Sequence, residues 1–224
     1  MIVNGFSVDN KTVTLYRSSE KDAPLIVFNN FDGDGSGIVD RLITKGLKFN
    51  FLNVGGLDWE NDTTPWFCPS PFKGQAPYLG NADGYLRLLT DVIMRRAGEY
   101  ISGKPKFNVI AGYSLAGLLA AYAPYRTEVF DRVACMSASL WYHGINEFTA
   151  ENQMKKRPDR AYFSLGDREA NVKDVTLKTV YDNTLLVVGR FAAAGVDVKF
   201  ELNQGNHFHE VDERISKGLT AMLI

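Results

Sequence analysis

Ser114 lies in Ala111-Gly112-Tyr113-Ser114-Leu115-Ala116-Gly117, with glycine two residues before it and alanine two residues after. A serine hydroxyl is a poor nucleophile and must be held where a base can reach it. The tight strand-to-helix turn that does so strains the serine backbone and crowds its neighbours, which is why those two positions must be small. An apolar strand-like run, Phe107 to Ala111, precedes the serine, and an apolar helical stretch, Leu115 to Ala123, follows it. The turn also leaves the Leu115 N–H in the first turn of a helix, aimed where an oxyanion would form. The competing structural reading is an ordinary helix-capping serine.

A nucleophile in this setting is followed in chain order by an acid and then a histidine, each at the carboxyl end of a later strand. Of the three histidines, His143 comes too early and lies in Leu140-Trp141-Tyr142-His143-Gly144, a stretch suited to lining a pocket. His207 and His209 follow the last strand-like run. His207 comes after Gly205-Asn206, a pair that makes a sharp turn, and is the expected general base; His209 is expected at the surface. The acid must follow Arg160 to Leu165, where Gly166-Asp167-Arg168-Glu169 offers two carboxylates. Either Asp167 or Glu169 can fix the imidazole tautomer. These residues alone leave the choice open, the other acid belonging to a solvated turn.

Positioning such groups requires a sheet. Runs rich in β-branched and aromatic residues predict strands at Val13–Tyr16, Pro24–Phe28, Phe49–Val54, Phe107–Ala111, Arg132–Met136, Arg160–Leu165 and Asp197–Leu202. The later runs are apolar on both alternating faces, as buried parallel strands are. Helical spacing predicts helices over Ser36–Lys45, Ala82–Tyr100, Leu115–Ala123, Leu177–Ala194 and Glu210–Leu223. In the fourth, Leu177, Val180, Tyr181, Leu185, Val188 and Phe191 form a stripe assigned to the core alone. The alternation of strands and helices is that of an α/β protein.

The 224 residues, 45% of them hydrophobic, suit one domain that buries roughly 70% of its unfolded surface. With 25 Lys plus Arg against 26 Asp plus Glu, the chain has no bulk electrostatic reason to bind nucleic acid or an anionic membrane. No apolar stretch is long enough to span a bilayer. The first residues are neither basic nor continuously apolar, so no secretory signal is read and the cytoplasm is the expected compartment. Cys68 and Cys135 suggest neither a disulfide framework nor a metal site.

From Gly55 to Asn81 the strand–helix rhythm stops. The segment holds Pro65, Pro69, Pro71 and Pro77 interleaved with Trp59, Trp66, Phe67, Phe72 and Tyr78. Long loops inside compact domains are usually functional or disordered, and the aromatic content favours an ordered segment. An ordered aromatic flap and a structural loop covering a sheet edge both fit this composition.

Taken in order, Gly112-Tyr113-Ser114-Leu115-Ala116-Gly117-Leu118, Met136-Ser137-Ala138-Ser139-Leu140-Trp141, Ser164-Leu165-Gly166-Asp167-Arg168-Glu169 and Gly205-Asn206-His207-Phe208 resemble the esterase branch of the α/β-hydrolase superfamily, which includes feruloyl esterases, siderophore esterases and esterase D. The likeness runs from Pro24 to the C-terminus. It implies an α/β-hydrolase fold, with a mostly parallel central sheet and helices on both faces, in a single domain over residues 1–224. It also implies a Ser-His-acid hydrolase of small-molecule carboxylic esters, needing no cofactor and no metal. In that family the acid often lies three residues after the strand-end glycine, which here is Glu169. The family's oxyanion loop reads His-Gly and then the residue whose N–H completes the hole; the matching positions are Asn29, Asn30 and Phe31, so Phe31 is the expected second donor beside Leu115. Ala116 stands where the family commonly has glycine, and a methyl group is small enough for the turn. The length leaves no room for a large cap domain. Trp59 and Trp66 of the aromatic segment, with Trp141 and Tyr142 opposite, are therefore the expected substrate walls.

Asp32-Gly33-Asp34-Gly35-Ser36-Gly37 begins like an EF-hand calcium loop, but Ile43 occupies the position of the bidentate glutamate. The glycines also miss dinucleotide-loop spacing by one residue. An ester hydrolase is the first functional expectation. An acyltransferase or peptidase with the same triad is the second, and a non-catalytic binding module on the same fold is the third, disfavoured because every triad position is filled.

Overall fold

The computed structural model describes residues 1–224. Its eight strands form one sheet in the order β1-β2-β4-β3-β5-β6-β7-β8. They are β1 (Ile2–Val8), β2 (Lys11–Arg17), β3 (Leu25–Asn29), β4 (Asn50–Gly55), β5 (Asn108–Tyr113), β6 (Arg132–Met136), β7 (Arg160–Gly166) and β8 (Asp197–Asn203). The β1–β2 and β2–β4 pairs are antiparallel, and every pair from β4 through β8 is parallel. Each residue of β3 and β4 is buried, because helices cover both faces of the parallel region. The seven predicted strands are all present. The eighth, β1, is an edge strand whose residues are exposed or half-buried; Asn4, Gly5 and Ser7 break its apolar pattern, so periodicity does not reveal it.

On one face α1 (Ser36–Thr44) and α8 (Val211–Leu223) seal Ile38, Leu42, Ile215 and Leu219 against Phe28 and Phe51 of the sheet. The other face is covered by α3 (Ala82–Leu88), α4 (Met94–Gly98), α5 (Leu115–Tyr122) and α7 (Val180–Ala193), which bury Tyr85, Met94, Leu118 and Phe191. Two short helices, α2 (Trp59–Asp62) and α6 (Ile145–Glu151), are additions to the predicted set. With four and seven residues they are too short to show a helical period. The predicted helix over Ala82–Tyr100 is interrupted by a π turn at Leu89–Ile93, whose extra residue brings Leu89, Ile93, Met94 and Ala97 all onto the buried side. In α7 the buried stripe is Val180, Thr184, Val187 and Phe191, while the predicted core residue Leu185 is 40% exposed. No helix is long and apolar enough to cross a membrane.

The aromatic segment is ordered and tied to the sheet. Lys11 on β2 reaches Asp62 of α2 at 2.6 Å, with both side chains almost completely buried. Asp62 also accepts the Asp58 N–H and the Asn81 side-chain amide. A buried charge is costly unless paired and hydrogen-bonded, and this pair meets both conditions. Reciprocal backbone bonds between Cys68 and Tyr78 close the segment further along.

Candidate active site

Between β5 and α5 the chain turns sharply at Ser114, which adopts φ 60° and ψ −122°, a conformation few non-glycine residues tolerate. The surroundings hold it there. The Ser114 N–H donates to Met136 O, and Ser114 O accepts from Leu118 and Ser139 N–H. At Gly112 a Cβ would lie 2.4 Å from the Ala116 backbone, so glycine is required there. The turn is thus the one expected from the small residues around the serine.

Three further loops at the carboxyl ends of the parallel strands bring side chains to it, the usual location of sites in open α/β sheets. His207, after β8, places Nε2 3.1 Å from Ser114 Oγ and Nδ1 2.7 Å from Glu169 Oε2. Glu169 follows β7 and is nearly buried. Its second oxygen, Oε1, accepts from the Gly166 N–H at 2.6 Å, the Ser137 hydroxyl at 2.8 Å and Arg214 Nη1 at 3.0 Å. Burial alone would raise its pKa. The hydrogen bond and charge of His207, with the bonds from Gly166 and Ser137, outweigh burial and hold the carboxyl below its ordinary value.

Asp167, the other candidate acid, does not reach His207. Its side chain is 44% exposed and accepts the Gly205 N–H at 2.8 Å, while its own N–H donates to Asn203 O. It fastens the histidine loop to the acid loop. Gly205 takes φ 105°, the turn through which His207 comes back over the sheet. His209 is exposed, and His143 is exposed outside the pocket.

Several residues that support this arrangement escape a reading of the sequence. Arg214 of α8 is 1% exposed; besides Glu169 it donates to Gln204 O and to the Tyr113 and Ser137 hydroxyls. The Tyr113 hydroxyl donates to His207 O at 2.6 Å, and burial raises its pKa, so it stays protonated for that bond. Ser137, at φ 43°, and Ser139 belong to the Met136–Trp141 motif but have no assigned task there. Ser139 Oγ lies 3.3 Å from Ser114 Oγ.

A cavity of about 480 Å³ opens over Ser114. Leu115 and Phe31, the two expected oxyanion donors, both border it, and the Phe31 N–H has no hydrogen-bond partner within the protein. Tyr85 donates to Asn29 Oδ1 at 2.5 Å and Asn29 Nδ2 to Ala111 O, which fixes the backbone leading into Phe31. The Asp32–Gly37 loop is held by Asp34, which caps the Ser36 N–H, and by Asn30 and Asn53, which both donate to Gly33 O.

Of the four expected wall residues, Trp59 and Trp141 line the cavity. Trp66 and Tyr142 do not. Trp66 packs on Tyr122 and Phe148 and donates to His143 O, while Tyr142 is 1% exposed and donates to Trp66 O. They form a brace behind the wall, because their polar atoms find backbone partners there. Phe72 and Tyr78 of the same segment line the cavity instead, so the segment lies over the carboxyl ends of the strands and not along a sheet edge. Leu177 and Val180, read from the sequence as core alone, also face the cavity.

This is the α/β-hydrolase fold. Solved structures similar to the chain include proteins named as hydrolases and esterases. The siderophore hydrolase EstB from Aspergillus nidulans has TM-score 0.74 and 18% identity, over 99% of this chain and 95% of that one. The BES protein from Bacillus cereus gives 0.75 and 13%, over 99% and 96%. An IroE-like serine hydrolase from Shewanella oneidensis gives 0.76 and 13%, over 95% and 75%. No protein-family model matches the chain, and no curated protein matches it in sequence.

Proposed function

We propose that the protein is a serine carboxylesterase acting through an acyl-enzyme. The observation that carries this is the hydrogen-bonded chain from Ser114 Oγ through His207 to Glu169 at the floor of an open cavity. With the His207 proton on Nδ1, held by Glu169, Nε2 accepts the Ser114 proton as Oγ attacks the ester carbonyl. The Leu115 and Phe31 N–H groups receive the oxyanion. The imidazolium returns the proton to the leaving alkoxide, and the alcohol departs. Water then repeats the sequence on the acyl-enzyme and releases the acid.

Ester hydrolysis is also the activity in the names of proteins sharing the fold, including an enterobactin esterase and a ferulic acid esterase. The mainly hydrophobic wall, with Trp59, Phe72, Tyr78 and Trp141, suits a small-molecule ester with a large apolar part.

The test is labelling with a fluorophosphonate probe, read by peptide mass spectrometry, on wild type and His207→Ala. Modification at Ser114 in the wild type and its loss in the variant is the expected result. A folded wild type that takes up no probe would overturn the proposal.

A further inference from the structure

The three-residue turn Ser137-Ala138-Ser139 touches both ends of the Ser114–His207–Glu169 chain. Ser137 donates to Glu169 Oε1, and Ser139 meets Ser114 twice, through its N–H to Ser114 O at 3.0 Å and through its hydroxyl at 3.3 Å from Ser114 Oγ. Ser139 is 2% exposed, borders the cavity, and its hydroxyl has no other hydrogen-bond partner in the protein. The turn is held in place at a cost: Ser137 sits in the left-handed region at φ 43° while its N–H is bonded to Ser164 O. A strained turn that presents one hydroxyl to the acid and another to the nucleophile is more than a connection between strand and helix.

We propose that Ser139 is a further catalytic residue, whose hydroxyl donates to Ser114 Oγ and assists its departure when the acyl-enzyme breaks down. The direction of donation follows from the proton inventory. With the His207 proton on Nδ1, held by Glu169, the one proton of Ser114 Oγ points to Nε2, and Oγ can then only accept from Ser139.

In deacylation, water adds to the acyl carbon and gives a proton to Nε2, forming a tetrahedral intermediate. On collapse the bond from that carbon to Ser114 Oγ breaks, its electron pair returns to Oγ, the carbonyl re-forms, and Oγ takes the proton from Nε2. Charge grows on Oγ before that proton arrives, and a donor already beside Oγ stabilises it. In acylation Oγ instead passes its electrons to the carbonyl, so the same donor helps less. Ser139 therefore favours the second half of the reaction.

This inference rests on the proposed acyl-enzyme, and the experiment separates the two. Wild type and Ser139→Ala are compared with a chromogenic p-nitrophenyl ester in stopped flow and by intact-protein mass spectrometry during turnover. For a neutral hydrogen bond the expected loss is about fivefold to tenfold in deacylation. It should appear as a fall in kcat and KM together, a burst of nitrophenol, and an accumulated acyl adduct on Ser114. Ser139→Thr, which restores a hydroxyl, should shorten the adduct's lifetime again. Ser137→Ala, acting through Glu169, should slow both halves and accumulate no adduct.

A folded Ser139→Ala with wild-type kcat, or with a loss confined to kcat/KM and no adduct, would overturn the role of Ser139 alone. A wild type that neither forms an adduct nor hydrolyses the ester would remove the acyl-enzyme reading beneath it.

Discussion

Arg214 and Glu169 meet at 3.0 Å in the interior, the guanidinium on the carboxylate oxygen that His207 leaves free. Both side chains are at most 4% exposed. One cation thereby neutralises the acid and, through Gln204 O and the Tyr113 hydroxyl, ties the histidine loop and the serine turn to it. Removing one partner of a buried pair leaves the other charge uncompensated. Arg214→Met is expected to lower stability by about 3–5 kcal/mol in urea unfolding. A loss below about 1 kcal/mol would mean that the pair is solvated in the working protein.

The two carboxylates after β7 should separate cleanly in kinetics. Glu169→Gln keeps the shape but loses the charge that orients His207, and a fall in kcat of about 10²–10⁴-fold is expected. Asp167→Asn, at a half-exposed site bonded only to the neighbouring loop, should stay within about threefold. Initial rates on a single ester decide it; a larger loss for Asp167→Asn would move the acid.

Acid should weaken the fold through Glu169. Its pKa lies below the ordinary value, so between the two values the folded protein binds fewer protons than the unfolded chain. The stabilisation is complete above about pH 4.3 and is lost as the pH falls through the lower, folded value. Urea midpoints measured from pH 6 downward, at roughly half-unit steps, should converge between wild type and Glu169→Gln on the acid side. Two parallel curves would assign the acid sensitivity to other carboxylates.

Gly112→Ala would drive a methyl group into the Ala116 backbone. Backbone cannot step aside as a side-chain tip can, so a loss of about 1–3 kcal/mol or more is expected, with Ser114 displaced. Calorimetry and fluorophosphonate labelling should fall together. Full labelling of the variant would show that the turn tolerates a wider spacing.

Sequence pattern and structure part company where direction matters more than residue type. Ser114 and His207 are legible because each lies just after a strand-like run; the same reasoning narrows the acid only to Asp167 or Glu169, and the resemblance, not the pattern, points to Glu169. Arg214 is not, since an arginine in an amphipathic helix reads as part of its solvated face; only packing turns it inward. Trp66 and Trp141 look equally suited to a wall, yet the indole of Trp66 finds a partner in His143 O and faces away. Aromatic content marks the segment that covers the site without saying which rings face the ligand. Ser137 and Ser139 are visible as a motif, but their two hydroxyl partners lie on other strands' loops and cannot be read locally.

The Lys11–Asp62 pair has a consequence for how this protein can change. It anchors the wall-bearing segment to β2, whereas the reacting groups hang from β5, β7 and β8 on the other side of β3. The roof thus has one anchor on the far side of β3, in addition to the brace that Trp66 makes with Tyr142 and His143. The stretch between Pro71 and Ala76 is half-buried to exposed and lies beyond the Cys68–Tyr78 closure, so it can be lengthened, shortened or recoloured in charge with little strain passed to Ser114. Changes confined to that stretch would alter the shape and charge of the cavity's roof while leaving the Ser114–His207–Glu169 hydrogen bonds untouched.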